Sequence, residues 1–244
     1  MDALVLCLEG PMMALGGPAV DNLRPVQAFP AASMLAGLLA NALGYTHRDF
    51  HRTQQLQERL RFAARADQPG IEQVDYQTVD LGQPFLGEGW TTWGRPEGRA
   101  GGPAKTGTHI RFRHYWADRV ITVVLTLTEP STAPTLDDLQ SALHRPARPL
   151  FLGRKSCLPS RPLLVGRREG PCLRDILSME PPHGEQEEPA PPWPAQWPAD
   201  EGPTPSGRCR LAEVFDLRDW ANQIHTGSRW VWEGLLEPGE TSHD

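Results

Sequence analysis

Apolar positions along this chain follow two rhythms. Ala3 to Leu8 is a continuous apolar run, too short for a helix and suited to a buried strand, and it ends at the turn Gly10-Pro11. After a loop-like stretch from Asp21 to Pro30, Leu35, Leu38, Leu39 and Leu43 recur at helical spacing, with Ser33 as candidate cap and Gly44 as the stop. A second helical stretch is read over Arg48 to Ala66. Val74 to Asp80 alternates as a half-buried strand. So does Ile110 to Trp116, with Ile110, Phe112, His114 and Trp116 on one side and Arg111, Arg113 and Tyr115 on the other. Val120 to Leu127 is a β-branched strand of the fully buried kind. Thr135 and Asp138 read as a capping box before a short helix bearing Leu136, Leu139 and Leu143, which must end before Pro146. Pro149 to Leu152, Leu163 to Val165, Arg210 to Phe215 and Arg229 to Leu235 read as further strands.

Among these elements the order strand, helix, strand, strand, helix, strand is that of an α+β, ferredoxin-like split βαβ unit. Residues 82 to 107, rich in Gly and Thr, read as a long loop or hairpin tip. Residues 178 to 206 contain nine prolines and six acidic residues, the composition of a linker or exposed loop. The chain is thus divided into a palm over 1–177, a linker over 178–206 and a smaller β-rich part over 207–244.

Composition narrows the class. The 244 residues, 39% hydrophobic, suffice for one or two cored domains, and 25 Pro with 23 Gly predict irregular connections. No apolar run reaches the roughly 18 residues of a membrane span. The N-terminus reads as a first strand, not a signal peptide, so a cytoplasmic protein with no membrane association is expected. Cys7, Cys157, Cys172 and Cys209 lie far apart, which signals neither a zinc site nor a disulfide framework.

The net charge of −6 argues against a nucleic-acid partner until it is divided along the chain. Residues 1–175 carry +3 and residues 176–244 carry −9. Arg145, Arg148, Arg154, Lys155, Arg161, Arg167 and Arg168 fall in a segment, 139–168, without one Asp or Glu. That is a candidate anion-binding surface, with a solvated basic face as the alternative. Of the 24 basic residues 22 are Arg, whose planar fork grips phosphate and stacks on bases.

Walker A, GxGxxG, GxSxG and HExxH patterns are absent, so no cofactor or metal is expected. Gly153-Arg154-Lys155-Ser156 supplies a glycine whose backbone can approach a phosphate, two cations and a hydroxyl. Arg111, Arg113 and Tyr115 on one strand face match the way single-stranded RNA is held; the alternative is the solvent face of a sheet. His114, with Tyr115 and Lys155, would be the material of a metal-independent ribonuclease.

Leu8-Glu9-Gly10-Pro11-Met12-Met13-Ala14-Leu15-Gly16, then Arg24-Pro25, Phe29-Pro30 and Ser33 before Gly37-Leu38-Leu39, resemble the N-terminal half of the CasD family. These are the CRISPR-associated RAMP subunits of the type I-E Cascade complex. Arg113-His114-Tyr115-Trp116-Ala117-Asp118 is similar to their thumb base. The block from Arg148 to Leu163, RPLFLGRKSCLPSRPL, resembles their most characteristic stretch. The likeness runs in family order from residue 4 to about 165 and loosens beyond, around His225 to Trp232.

The resemblance implies a ferredoxin-like, RRM-related RAMP palm with a β-hairpin thumb near 82–112. It implies a noncatalytic RNA-binding role in antiviral defence, holding the 5′ handle of crRNA. The partners would be the backbone and large Cascade subunits, with target DNA met only through the complex. Carried onto this chain, the RNA-binding set is Met12, Gly16, Arg24, Ser33, Arg111, Arg113, Tyr115, Arg148, Gly153, Arg154, Lys155, Ser156 and Arg161. Ala32 stands where the family commonly has a basic residue, and the acidic stretch 178–206 is not part of the family pattern. The rival readings are an endoribonuclease processing precursor crRNA, and a protein-binding module using the Trp-rich C-terminal region.

Overall fold

The computed structural model describes residues 1–17, 22–83, 88–91, 93–98, 107–185, 192–203 and 208–236. The chain runs β1 (Asp2–Glu9), β2 (Met12–Met13), β3 (Leu23–Arg24), α1 (Ala32–Ala42), α2 (Phe50–Arg59), β4 (Leu60–Gln68) and β5 (Ile71–Asp80). It continues through β6 (Glu88–Trp90), β7 (Pro96–Gly98), β8 (Thr108–Ala117), β9 (Val120–Leu127), α3 (Leu136–His144), β10 (Leu164–Glu169) and α4 (Leu173–Met179). Then come β11 (Trp193–Pro198), β12 (Cys209–Val214), β13 (Arg218–Asp219), β14 (Ile224–His225) and β15 (Arg229–Leu236). The fold is α+β with mostly antiparallel strands. One seven-stranded sheet has the order β10-β1-β9-β4-β11-β15-β12.

The central strands are buried on both faces, which explains the unbroken apolar runs of β1 and β9. Leu4, Leu6 and Leu8 face α1, Leu56 of α2, and Leu136, Leu139 and Leu143 of α3. Ala3 and Val5 face Leu173, Ile176 and Leu177 of α4 on the other side. Burying each such leucine contributes about 1.5–3 kcal/mol. The capping box at α3 forms as read: the Asp138 amide donates to Thr135 Oγ1 at 3.2 Å and Thr135 N donates to Asp138 Oδ2 at 2.8 Å. Gly44, at φ +83°, ends α1 in a Schellman turn, with Gly44 N donating to Asn41 O and Tyr45 N to Ala40 O.

Several expectations need correction. The helix read over Arg48 to Ala66 stops at Arg59, and Leu60–Gln68 is a strand between β9 and β11. Its alanines have helical propensity, but a strand covered on both faces favours small side chains beneath the helices, and tertiary packing overrides propensity. Arg65, fully buried there, donates from Nε to Asp67 Oδ1 at 2.6 Å and from Nη1 to the carbonyls of Leu177 and Glu180 at 2.7 and 2.9 Å, while its Nη2 has no partner among the described residues. Pro149 to Leu152 is not a strand.

The stretch 178–206 is not simply a linker. It supplies β11, which pairs with β15 and β4 and buries Trp193 and Trp197, so 207–236 continues the main sheet and is no separate part. Proline density hid this because Pro194 is solvent-exposed while the tryptophans and Ala195 point into the core. Residues 186–191 and 204–207 lie outside the described residues.

The hairpin also starts earlier than expected. β5 and β8 pair in register from Ile71↔Ala117 to Asp80↔Thr108, so its stalk is 71–80 and 108–117. Of the span between, 84–87, 92 and 99–106 lie outside the described residues.

Candidate nucleic-acid interface

The site is built where two loops meet the N-terminal half of α1. Ala14 N donates to Leu152 O at 3.0 Å, and the second loop closes on itself through Leu152 N to Cys157 O and Cys157 N to Arg154 O, at 2.7 and 2.8 Å. Gly153 has φ +85°, and a Cβ there would lie 1.7 Å from the Ala14 carbonyl oxygen, so only glycine lets the loops touch. Gly16, at φ +103°, meets the same limit against Ala31, whose Cβ would be 2.5 Å away. Between these loops, α1 and the small hairpin β13–β14 lies a cleft of about 1310 Å³.

Its lining is strongly biased. Arg24, Arg148, Arg154, Lys155 and Arg218 line it with His47 and His225, and Tyr45, Phe50, Phe151 and Trp220 add aromatic surface. Not one Asp or Glu is among the lining residues. In a chain of net charge −6, this cleft segregates positive charge against apolar walls, which focuses the field on an incoming anion.

Gly16, Arg24, Ser33, Arg148, Gly153, Arg154 and Lys155, all anticipated from sequence, meet here. Their roles differ. Arg24 and Lys155 are exposed, and neither side chain has a hydrogen-bond or ion-pair partner among the described residues. Arg148 instead binds the end of α1, through Asn41 Oδ1 at 2.8 Å, Gly44 O at 3.3 Å and Tyr45 O. Arg154 donates to His114 O at 2.9 Å and Arg24 O at 3.2 Å.

Ser33 is not the cap of α1. It sits in the first turn, 7% exposed, and the free amides go to Asp216: Ala32 N to its carboxylate at 2.9 Å and Ser33 N to its carbonyl at 3.1 Å. The chain's own carboxylate therefore fills the anion position at this helix N-terminus.

Met12, Arg111, Arg113, Tyr115, Ser156 and Arg161 do not line the cleft. Met12 is half-buried in β2 opposite Ala117. Tyr115, read as a solvent-facing stacking ring, is 5% exposed beneath the Arg154 guanidinium. Arg111 and Arg113 share its strand face and are half-buried. Ser156 is exposed beside the cleft.

The basic segment is also less positive than its sequence. Arg161 pairs with Glu9 at 3.6 Å, Arg167 with Asp2 and Asp137, and Arg168 with Glu180 at 2.9 Å. Each carboxylate comes from outside the segment, and Asp2 and Glu9 come from the far N-terminal strand, beyond the reach of a local window.

His114 projects from the opposite strand face to Tyr115, with Nδ1 2.6 Å from Glu72 Oε1. It is not assembled with Tyr115 and Lys155 into a ribonuclease trio. Among the described residues no cluster of three His, Cys, Asp or Glu could hold a metal, and no helix is long and apolar enough to cross a membrane. The four cysteines are free thiols. Sequence reasoning missed Arg218, Trp220 and His47; the only local hint of the C-terminal wall was the loose likeness beginning at His225.

Residues 3–234 match the family described as CRISPR-associated protein (Cas_Cas5). The chain belongs to that family. This Cas_Cas5 chain is 34% identical over 155 residues to the CRISPR system Cascade subunit CasD of Escherichia coli (strain K12). That alignment covers 63% of this chain and 66% of the relative, about two thirds of the relative's length. Among solved structures, a chain of a "CRISPR RNA-guided surveillance complex" superposes with a TM-score of 0.69 at 25% identity, over 98% of this chain and 95% of that one. A chain from a "Crystal structure of Cas protein" superposes at 0.65 with 24% identity, over 97% and 95%, a likeness of fold. The Cas_Cas5 match spans both the loops of the cleft and its C-terminal wall.

Proposed function

We propose that this chain is a noncatalytic subunit of a type I-E Cascade surveillance complex, and that its cleft holds the 5′ handle of crRNA. The observation that carries this reading is the lining: five cations, two histidines and four aromatic rings without a carboxylate. Lys155 and Arg24 neutralise handle phosphates, while Gly16 and Gly153 let backbone approach the strand. Arg148 and Arg154, held by carbonyls, add field and fix the loops. The aromatic rings suit splayed bases.

The order β10-β1-β9-β4, with α1, α2 and α3 on one face, supports reading the palm as ferredoxin-like. The β5–β8 hairpin acts as the thumb, interrupting guide–target pairing next to the handle. The backbone and large subunits are the protein partners, target DNA is met through the complex, and the assembly acts in the cytoplasm without a cofactor in this subunit.

The test is fluorescence anisotropy with single-stranded repeat-derived RNA across a salt series, with EDTA present. Specific binding whose affinity falls with salt, and no cleavage, is the expected result. Indifference to salt, or cleavage lost in His114→Ala, sinks the reading.

A further inference from the structure

The small hairpin β13–β14 is held in place with unusual care for a surface element. Asp216, 1% exposed, accepts from Ala32 N on α1 and from Arg229 Nε on β15, the latter at 3.0–3.1 Å, while the Arg229 fork also reaches Gln196 Oε1 on β11 at 2.9 Å. Immediately beyond, the Gln57 amide on α2 mimics a strand partner. Its Nε2 donates to Arg218 O at 2.9 Å, and its Oε1 accepts Arg218 N at 3.2 Å and Trp220 Nε1 at 3.1 Å. Gln54 Oε1 accepts Trp220 N at 3.2 Å. The turn is closed by Asp219, which accepts the amides of Ala221 and Asn222 at 2.9 and 3.0 Å. Trp220 sits so close to α1 that a Cβ at Gly37 would be 3.2 Å from its ring.

The result is a fixed wall of the cleft, contributed by the C-terminal third of the chain. Its cation is incompletely satisfied. One arm of the Arg218 guanidinium binds Gln223 at 2.7 Å, but its Nε–H is out of solvent with no acceptor among the described residues. A buried donor without a partner is costly, and water, an ion or a ligand can complete it. Arg218 lines a cleft whose lining offers no carboxylate, so a ligand seated there can supply an acceptor to its guanidinium.

We propose that Arg218 is an RNA-binding residue, donating to a phosphate oxygen of the single strand in the cleft, and that the pinned β13–β14 hairpin exists to present it. This rests on the RNA-binding reading above.

The experiment is anisotropy with the same repeat-derived RNA and the full chain, comparing wild type, Lys155→Gln, Arg218→Gln and Arg210→Gln. Arg210 is on β12, ion-paired with Glu233 and away from the cleft, and controls for loss of one positive charge. Arg218→Gln is expected to weaken binding about tenfold and to reduce the salt slope by about 0.7, as a lost single-strand phosphate contact does. Arg210→Gln is expected to do neither. Should Arg218→Gln lose cooperative melting, Arg218→Lys serves, keeping the slope but losing affinity several-fold because the planar fork is gone. If wild type binds, Lys155→Gln weakens binding, and the Arg218 variants match wild type, this inference fails alone. A loss of sequence preference with an unchanged slope means a base contact and also overturns it. A wild type that binds no RNA overturns both readings.

Discussion

The guanidinium of Arg154 lies 4.5 Å from the centroid of the Tyr115 ring, and its two arms hold the carbonyls of His114 and Arg24. The more conspicuous arginine of the Gly153-Arg154-Lys155 block is thus a clamp between the cleft loop, β8 and β3, and its neighbour Lys155 is exposed with no partner among the described residues. Arg154→Ala should lower unfolding free energy by about 1–3 kcal/mol in urea titrations. Lys155→Ala should leave it within about 0.5 kcal/mol, yet weaken RNA binding and flatten its salt dependence. The reverse pattern would mean the roles are exchanged.

Gly153→Ala combines a left-handed backbone with a direct clash, since its Cβ would lie 1.7 Å from Ala14 O. Separating the two loops should destabilise the chain by at least about 2 kcal/mol and open the cleft. A melting temperature equal to wild type would refute the close approach.

Asp216→Ala strips a buried partner from Arg229 and the cap from α1. A cost of about 3–5 kcal/mol is expected, because the arginine is left largely desolvated with no counter-charge. Denaturant midpoints at matched slope would measure it.

The Asp138 carboxyl accepts the amide and hydroxyl of Thr135, which hold its pKa below the ordinary 3.8. A depressed carboxylate contributes stability above its unfolded pKa and loses it as pH falls through the folded value. The gap in unfolding midpoint between wild type and Asp138→Ala should therefore be constant at neutral pH and close in acid, below about pH 4. The group is exposed, so the gap is small. A gap that widens in acid would contradict the assignment.

Burial pushes the Cys7 thiol up to about 12. In the folded chain it should resist alkylation at pH 8 and react only after denaturation. Mass-spectrometric mapping of iodoacetamide adducts checks this; early labelling of Cys7 would show that β1 opens.

Much was legible locally. β1, β9, the α3 capping box, the Gly44 stop and the Gly153 block were readable because their signals depend on residues a few positions apart. The β4 strand was not, because Ala63, Ala64 and Ala66 carry helical propensity and only the neighbours β9 and β11 make them a strand. β11 was hidden by its two prolines, which stand beside the buried tryptophans that define it.

By itself, the sequence determined the strands β1 and β9, the capping box of α3, the family likeness, and the glycines and cations of the cleft loops. The tertiary structure alone decided which cations remain available. Asp2, Glu9 and Glu180 come from distant positions to neutralise Arg167, Arg161 and Arg168, and main-chain carbonyls hold Arg148 and Arg154. It also decided that the C-terminal hairpin forms a wall of the site and that Asp216 caps α1 from 184 residues away. Charge and hydrogen-bond partnership depend on distance in space, which position along the chain does not encode.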